Sequence, residues 1–196
     1  MRSRWHWLPF ALIYLRLFLI VPIVLILFLQ LSEVWLFLCL LVGLLSDVFD
    51  GIVARRIGVA TEKLRRADTI VDSFFFTALL IAAWLTHPDL FQKYIVGLLL
   101  LIGLKLFRIV FDYLKFRREA SYHMWSTKLW GISIFLAMTM LWLGVATELF
   151  FVVAILLGIV TNLEGLLASI ILPTWAHDVP SLVHALRLRD GRDGGG

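Results

Sequence analysis

Asp47 and Asp50 lie three positions apart near the end of one apolar run, and Asp68 and Asp72 lie four apart near the start of the next. On a helix such spacings put side chains within roughly 40–60° of one another and about 4.5–6 Å along the axis, so each pair shares a face. Carboxylates are hard oxygen donors that suit divalent cations such as Mg²⁺, and two pairs on adjacent helices can hold two ions between them. A single aspartate at bilayer depth costs about 2.5–3.5 kcal/mol on insertion scales, so four together require compensation.

The elements that must position these groups follow from composition. Hydrophobic residues make up 61% of the 196 and charged residues 16%, and the mean hydropathy of +0.94 is far above that of a soluble domain. The expected architecture is all-α, a polytopic membrane protein with six transmembrane helices. Six runs of suitable length carry it: Leu8 to Leu29, Val34 to Val53, Ala67 to Leu85, Tyr94 to Phe111, Leu129 to Val145 and Leu149 to Leu172. The first run is too long for a signal peptide, contains Arg16 and Pro22, and lacks a small-residue cleavage site, so it is expected to remain as a helix. Little chain is left for a soluble domain, and residues 1–196 are expected to form one membrane domain.

Basic residues set the orientation. Arg2 and Arg4 precede the first run; Arg55, Arg56, Lys63, Arg65 and Arg66 lie between the second and third. Arg117, Arg118 and Lys128 lie between the fourth and fifth, and Arg187, Arg189 and Arg192 follow the sixth, while the opposite loops contain only Lys93. The positive-inside rule then puts both termini and the aspartate loop in the cytoplasm. Topology and anionic headgroups account for the net charge of +4, and no nucleic-acid partner is expected. Pro173 should end the sixth helix. A short amphipathic piece from Leu182 to Leu188 is expected on the inner surface, with residues 190–196 a disordered tail. Cys39 reads as a small buried residue, and no His or Cys cluster has zinc spacing.

Small residues accompany the acids. Gly51 and Ala54 fall on the side of the second helix that carries Asp47 and Asp50. A helical glycine costs about 0.8–1 kcal/mol relative to alanine, which suits close approach by a ligand or a neighbouring helix. The string Asp47-x-x-Asp50-Gly51-x-x-Ala54-Arg55, followed by Asp68-x-x-x-Asp72, resembles the signature of the CDP-alcohol phosphatidyltransferase family. Six helices with cytoplasmic termini fit that family too. Pro9 and Arg16, seven apart, are similar to its Pro-Asn-x-x-Thr-x-x-Arg opening, although Phe10 and Ile13 replace the Asn and Thr.

The resemblance implies a phospholipid-synthesising transferase that moves a phosphatidyl group from CDP-diacylglycerol to the hydroxyl of a small alcohol and releases CMP. By that resemblance Asp47, Asp50, Asp68 and Asp72 are metal ligands for Mg²⁺ or Mn²⁺, with two ions expected. Asp72 is also the catalytic base toward the acceptor hydroxyl, and Gly51, Ala54 and Arg55 bind the donor. Homodimerisation is implied as well, with membrane lipids as surroundings and the active site facing the cytoplasm (at the inner membrane in a bacterium). For the acceptor, Arg16, Lys105, Arg108 and Lys128 are the candidate basic residues, which suits a phosphorylated polyol, glycerol 3-phosphate before an inositol phosphate. Snorkelling is the competing account of Lys105 and Arg108, and Asp112 is placed to pair with Arg108.

His123 reads as an interfacial residue, and Asn162 and Glu164 as hydrogen-bonding groups between helices. Two other functions use the same features. A divalent-cation transporter also needs intramembrane carboxylates, but its polar path should continue outward, and the second and third runs are almost wholly apolar beyond Asp47 and Asp72. A catalytically silent relative that binds CDP-lipid is suggested by Leu64, which stands where the family pattern has a second glycine.

Overall fold

The computed structural model describes residues 7–57, 62–117, 125–172 and 186. The described residues form seven α-helices and no strand: α1 (Leu8–Phe28), α2 (Val34–Ile57), α3 (Glu62–Thr86), α4 (Pro88–Lys93), α5 (Ile95–Phe116), α6 (Trp125–Leu143) and α7 (Thr147–Ile171). Five of them are long and apolar enough to cross a membrane, over Phe10–Phe28, Val34–Val53, Ala67–Thr86, Trp125–Leu143 and Thr147–Ile171. The protein is an integral membrane protein. The remaining apolar run of the sequence forms α5, whose 22 residues suffice in length. Lys105, Arg108 and Asp112 fall within this helix, whereas each of the other five spans carries at most two charged residues. The expected amphipathic piece at 182–188 falls, apart from residue 186, outside the described residues.

The chain divides into two compact units, Met1–Pro88 with Leu141–Val145, and Asp89–Met140 with Ala146–Gly196. In the first, α1 packs along both α2 and α3, which touch each other little. Each helix contributes one buried stripe at helical spacing. On α1 it is Ile13, Arg16, Ile23 and Ile26; on α2 Leu36, Cys39, Leu40, Ser46 and Asp50; on α3 Val71, Phe75, Leu79, Ala82 and Ala83. Large apolar residues on the other faces, among them Phe18, Val21, Leu45 and Phe74, are exposed and suited to lipid. The polar residues Arg16, Ser46 and Asp50 thus lie on the stripes that pack the helices together.

Tight contacts fix this arrangement. A Cβ on Gly43 of α2 would run into the ring of Phe75 on α3, so the missing side chain lets the two helices meet one turn from the aspartates. The α1–α2 turn closes with Leu31 N–H donating to Ile26 O (3.0 Å) and Gln30 N–H to Leu27 O (3.3 Å), and Gln30 takes a left-handed φ of 51°. Those two bonds are the pattern of a Schellman stop, here without the usual glycine. Nearby, His87 Nε2 at the end of α3 lies 3.6 Å from Glu33 Oε2.

In the second unit α5 and α7 run parallel. Lys93 donates to both carboxylate oxygens of Glu148 at 2.8 Å ahead of one end, and Lys115 donates to Ser169 O at 2.8 Å and Ile170 O at 3.1 Å at the other. Glycines allow the close approach between these helices. A Cβ on Gly97 would stand 3.2 Å from Ile155 Cγ2, and one on Gly158 would meet Leu101 and, at 2.7 Å, Trp130 Nε1.

The Gly43–Phe75 contact yields a first prediction. Gly43→Ala should destabilise the fold by about 1–3 kcal/mol, the usual cost of overpacking. Adding Phe75→Leu should return part of that loss, as read from unfolding midpoints of the single and double variants in one detergent. Equal losses in the single and double variants would place the strain elsewhere.

Candidate metal centre

The C-terminal half of α2 and the N-terminal half of α3 bring the four aspartates to one place. Oxygens of Asp47, Asp50 and Asp68 all lie within 4.8 Å of one another. Arg16, from the middle of α1, reaches between the two helices. Its Nη1 donates to Asp47 Oδ1 at 3.1 Å and to Asp72 Oδ1, and its Nη2 donates to Asp50 Oδ2 and Asp68 Oδ1. One planar guanidinium therefore bridges four carboxylates on two helices, a task that its fixed set of N–H donors suits.

Exposure across the cluster is graded. The Arg16 side chain is 1% exposed and that of Asp50 is 7%, while Asp47 is 46% exposed and Asp68 and Asp72 are intermediate. One side of the cluster is thus sealed by packing, and the other is open. Four carboxylates and one guanidinium leave a formal charge of −3. So large an excess in apolar surroundings favours the capture of further cations. The donor set fits a divalent ion. It is all carboxylate oxygen, and two oxygens on one Mg²⁺ stand at most about 4.2 Å apart given bonds of about 2.1 Å, so the 4.8 Å grouping needs only a small closure.

Of the donor-side residues, Gly51 lies on α2 directly after Asp50 and is half-buried. Ala54 and Arg55 continue the same helix, but their side chains lie outside the described residues, as does that of Leu64 on α3. The basic residues assigned to the acceptor divide between the units. Arg16 belongs to the first and sits among the aspartates; Lys105, Arg108 and Lys128 belong to the second. Lys105 is exposed, and Lys128 is exposed with its Nζ 4.7 Å from the centre of the Trp125 ring. His123 lies outside the described residues.

Arg108 is half-buried beside Asp112, with Nε 3.7 Å from Oδ2. Asp112 is fully buried, and neither of its carboxylate oxygens has a hydrogen-bond partner. The guanidinium of Arg108 lies where a Cβ on Gly165 of α7 would go. Gly165 was not singled out from the sequence, although its spacing of seven from Gly158 marks a packing face. Asn162 is buried and donates to Gly158 O of its own helix at 2.8 Å, rather than to a neighbouring helix as expected.

The sequence model for CDP-alcohol phosphatidyltransferases matches residues 6–160. The chain belongs to that family. The match covers Arg16 and all four aspartates, extends through both units, and ends within α7 just before Thr161. No curated protein and no solved structure matches the chain. Phosphotransfer from CDP-alcohols in phospholipid synthesis is the general reaction of the family, and divalent-metal dependence is typical of it.

The buried pair in α5 gives a second prediction. Asp112→Ala leaves the Arg108 charge uncompensated and should cost about 3 kcal/mol, while Arg108→Leu combined with Asp112→Leu should cost much less. Unfolding of the three proteins in one detergent measures this. Equal losses in the single and double variants would show that the charges are not coupled.

Proposed function

We propose that this protein transfers a phosphatidyl group from CDP-diacylglycerol to the hydroxyl of a small phosphorylated polyol, glycerol 3-phosphate first and an inositol phosphate second, releasing CMP. The observation that carries the reading is the gathering of four carboxylates from α2 and α3 within the span of the family match.

Asp47, Asp50, Asp68 and Asp72 would hold Mg²⁺ or Mn²⁺, with two ions proposed. A metal held there would supply charge neutralisation for the donor's pyrophosphate and for the departing CMP. Asp72 accepts the proton of the acceptor hydroxyl. That oxygen forms a bond to the phosphorus carrying the diacylglycerol, and the bond from this phosphorus to the bridging oxygen of CMP breaks. Gly51, Ala54 and Arg55, the turns of α2 that follow Asp50, take the donor head, and Arg16, Lys105, Arg108 and Lys128 are the residues proposed for the acceptor.

The concentration of arginine and lysine in alternate loops supports a six-span topology with both termini and the centre at the cytoplasmic face. There the donor's tails remain in lipid and its nucleotide in water. Residues 1–196 would act as one membrane domain and pair as a homodimer. Leu64, in place of the family glycine, favours a second reading, a catalytically silent relative that retains CDP-lipid.

Lipid-reconstituted protein given CDP-diacylglycerol, Mg²⁺ or Mn²⁺ and separate acceptors should release CMP only with metal and acceptor. Asp72→Asn should lower the rate by about 10²–10⁴-fold, the usual range for a lost general base. If no acceptor of a broad panel elicits CMP release, transfer from CDP-diacylglycerol is removed in favour of another CDP-linked donor or the silent relative. A large gain of activity in Leu64→Gly would show instead that the natural chain is degenerate.

A further inference from the structure

Arg16 holds a place that a metal-binding reading of the centre leaves unexplained. Its guanidinium is almost fully buried and donates to the same carboxylate groups that a metal would use, Asp47, Asp50, Asp68 and Asp72. Its Nε is buried without a hydrogen-bond partner, so in this position the side chain is held by its contacts with the acids. The charges limit what the centre can contain. Two divalent ions balance four carboxylates with nothing left over, whereas two ions together with Arg16 leave an excess of one positive charge. Arg16 also competes directly for Oδ1 of Asp47, Asp68 and Asp72 and Oδ2 of Asp50. Guanidinium and metal thus compete for one oxygen of each carboxylate, and their like charges oppose joint occupancy.

We infer that Arg16 is the resident counter-cation of the metal-free centre: it holds α2 and α3 in register through their aspartates and is expelled toward the open side of the cluster when divalent ions load. It is a positioning residue with two opposed effects. It stabilises the metal-free protein, because without it four carboxylates repel one another in apolar surroundings. It weakens metal binding, because loading must first break its ion pairs. The displaced guanidinium remains close to the centre as a mobile cation, available to a phosphate of the bound lipid nucleotide or acceptor. This rests on the metal reading above, and the test separates the two.

The test uses full-length protein stripped with EDTA and titrated with Mn²⁺, without nucleotide, and bound metal is followed by electron paramagnetic resonance. Arg16→Gln should bind Mn²⁺ at least about tenfold more tightly than the natural protein, with one adjacent positive charge removed. Its metal-free unfolding midpoint should be lower, and its stabilisation by Mn²⁺ larger. Arg16→Lys, which keeps the charge but loses the planar fork, should fall between them in both measurements.

A second readout needs no variant: modification of Arg16 by phenylglyoxal, followed by peptide mass spectrometry, should be slow in the stripped protein and faster at saturating Mn²⁺. This readout decides alone where Arg16→Gln does not fold. Equal or weaker Mn²⁺ binding by folded Arg16→Gln, or Arg16 reactivity that Mn²⁺ leaves unchanged, overturns the counter-cation role while the metal centre stands. Absence of Mn²⁺ binding in both proteins overturns the two together.

Discussion

A charge in an apolar medium must be answered locally, and the first unit is organised around one answer to that constraint. The aspartates of α2 and α3 point to a common place, yet these helices have little packing in common. What joins them is α1, which lies along both, and at the level of the acids the joining group is the guanidinium of Arg16. Elsewhere the same face of α1 offers Ile13, Ile23 and Ile26. In lipid an isoleucine surface gains little by moving from tail to helix, so association rests on close packing and on polar contacts between helices. One arginine in an isoleucine stripe is therefore a strong determinant of helix register. Sliding α1 by one turn would separate the charges by about 5.4 Å and bury them without partners.

The Gly43–Phe75 contact completes this logic. It lies one turn from Asp47 on α2 and three residues after Asp72 on α3, where the ring meets backbone instead of a second side chain. The separation of the two carboxylate pairs is consequently set by a rigid aromatic against a glycine, while Arg16 adapts to that separation through its flexible stem. Rigid spacing beside an adjustable charge is what a centre needs if it is to accept different cations without moving its helices. The second unit meets the same constraint by a different device. Arg108 and Asp112 sit one turn apart on α5, so their pairing is local to one helix, and Gly165 gives the guanidinium room against α7.

Much of this was legible in the sequence because it depends on periodicity. The apolar runs predict the helices to within a few residues, and the spacing of Asp47 with Asp50 and Asp68 with Asp72 places each pair on one face before any tertiary contact is known. Helices α2 and α3 extend past the apolar runs, to Ile57 and back to Glu62, because the backbone hydrogen bonds continue where hydropathy falls. The stop at Gln30 was not legible, since a left-handed residue without glycine leaves no compositional mark. Nor was the position of Arg16. Read alone it is one cation in an apolar run and joins Lys105, Arg108 and Lys128 in a basic set. Its contact with acids 31 to 56 residues away depends on which face of α1 meets which helices, a fact of packing that one-dimensional spacing does not contain.

The choice of arginine at position 16 follows from the geometry of its neighbours. A lysine presents one compact ammonium, strongly hydrated and costly to strip of water, whose three donors diverge from a single nitrogen. Four carboxylates distributed over two helices demand donors that are spread apart and directed outward, and the two terminal nitrogens of arginine divide them, Asp47 and Asp72 to one and Asp50 and Asp68 to the other. Each nitrogen thereby links α2 to α3, so breaking either half still leaves the helices tied. A delocalised, weakly hydrated cation is also the easier one to exchange for a divalent ion, because its charge is spread over a larger surface than that of the ion replacing it. The same properties that let Arg16 hold the acids together thus make its displacement by a harder cation a modest step.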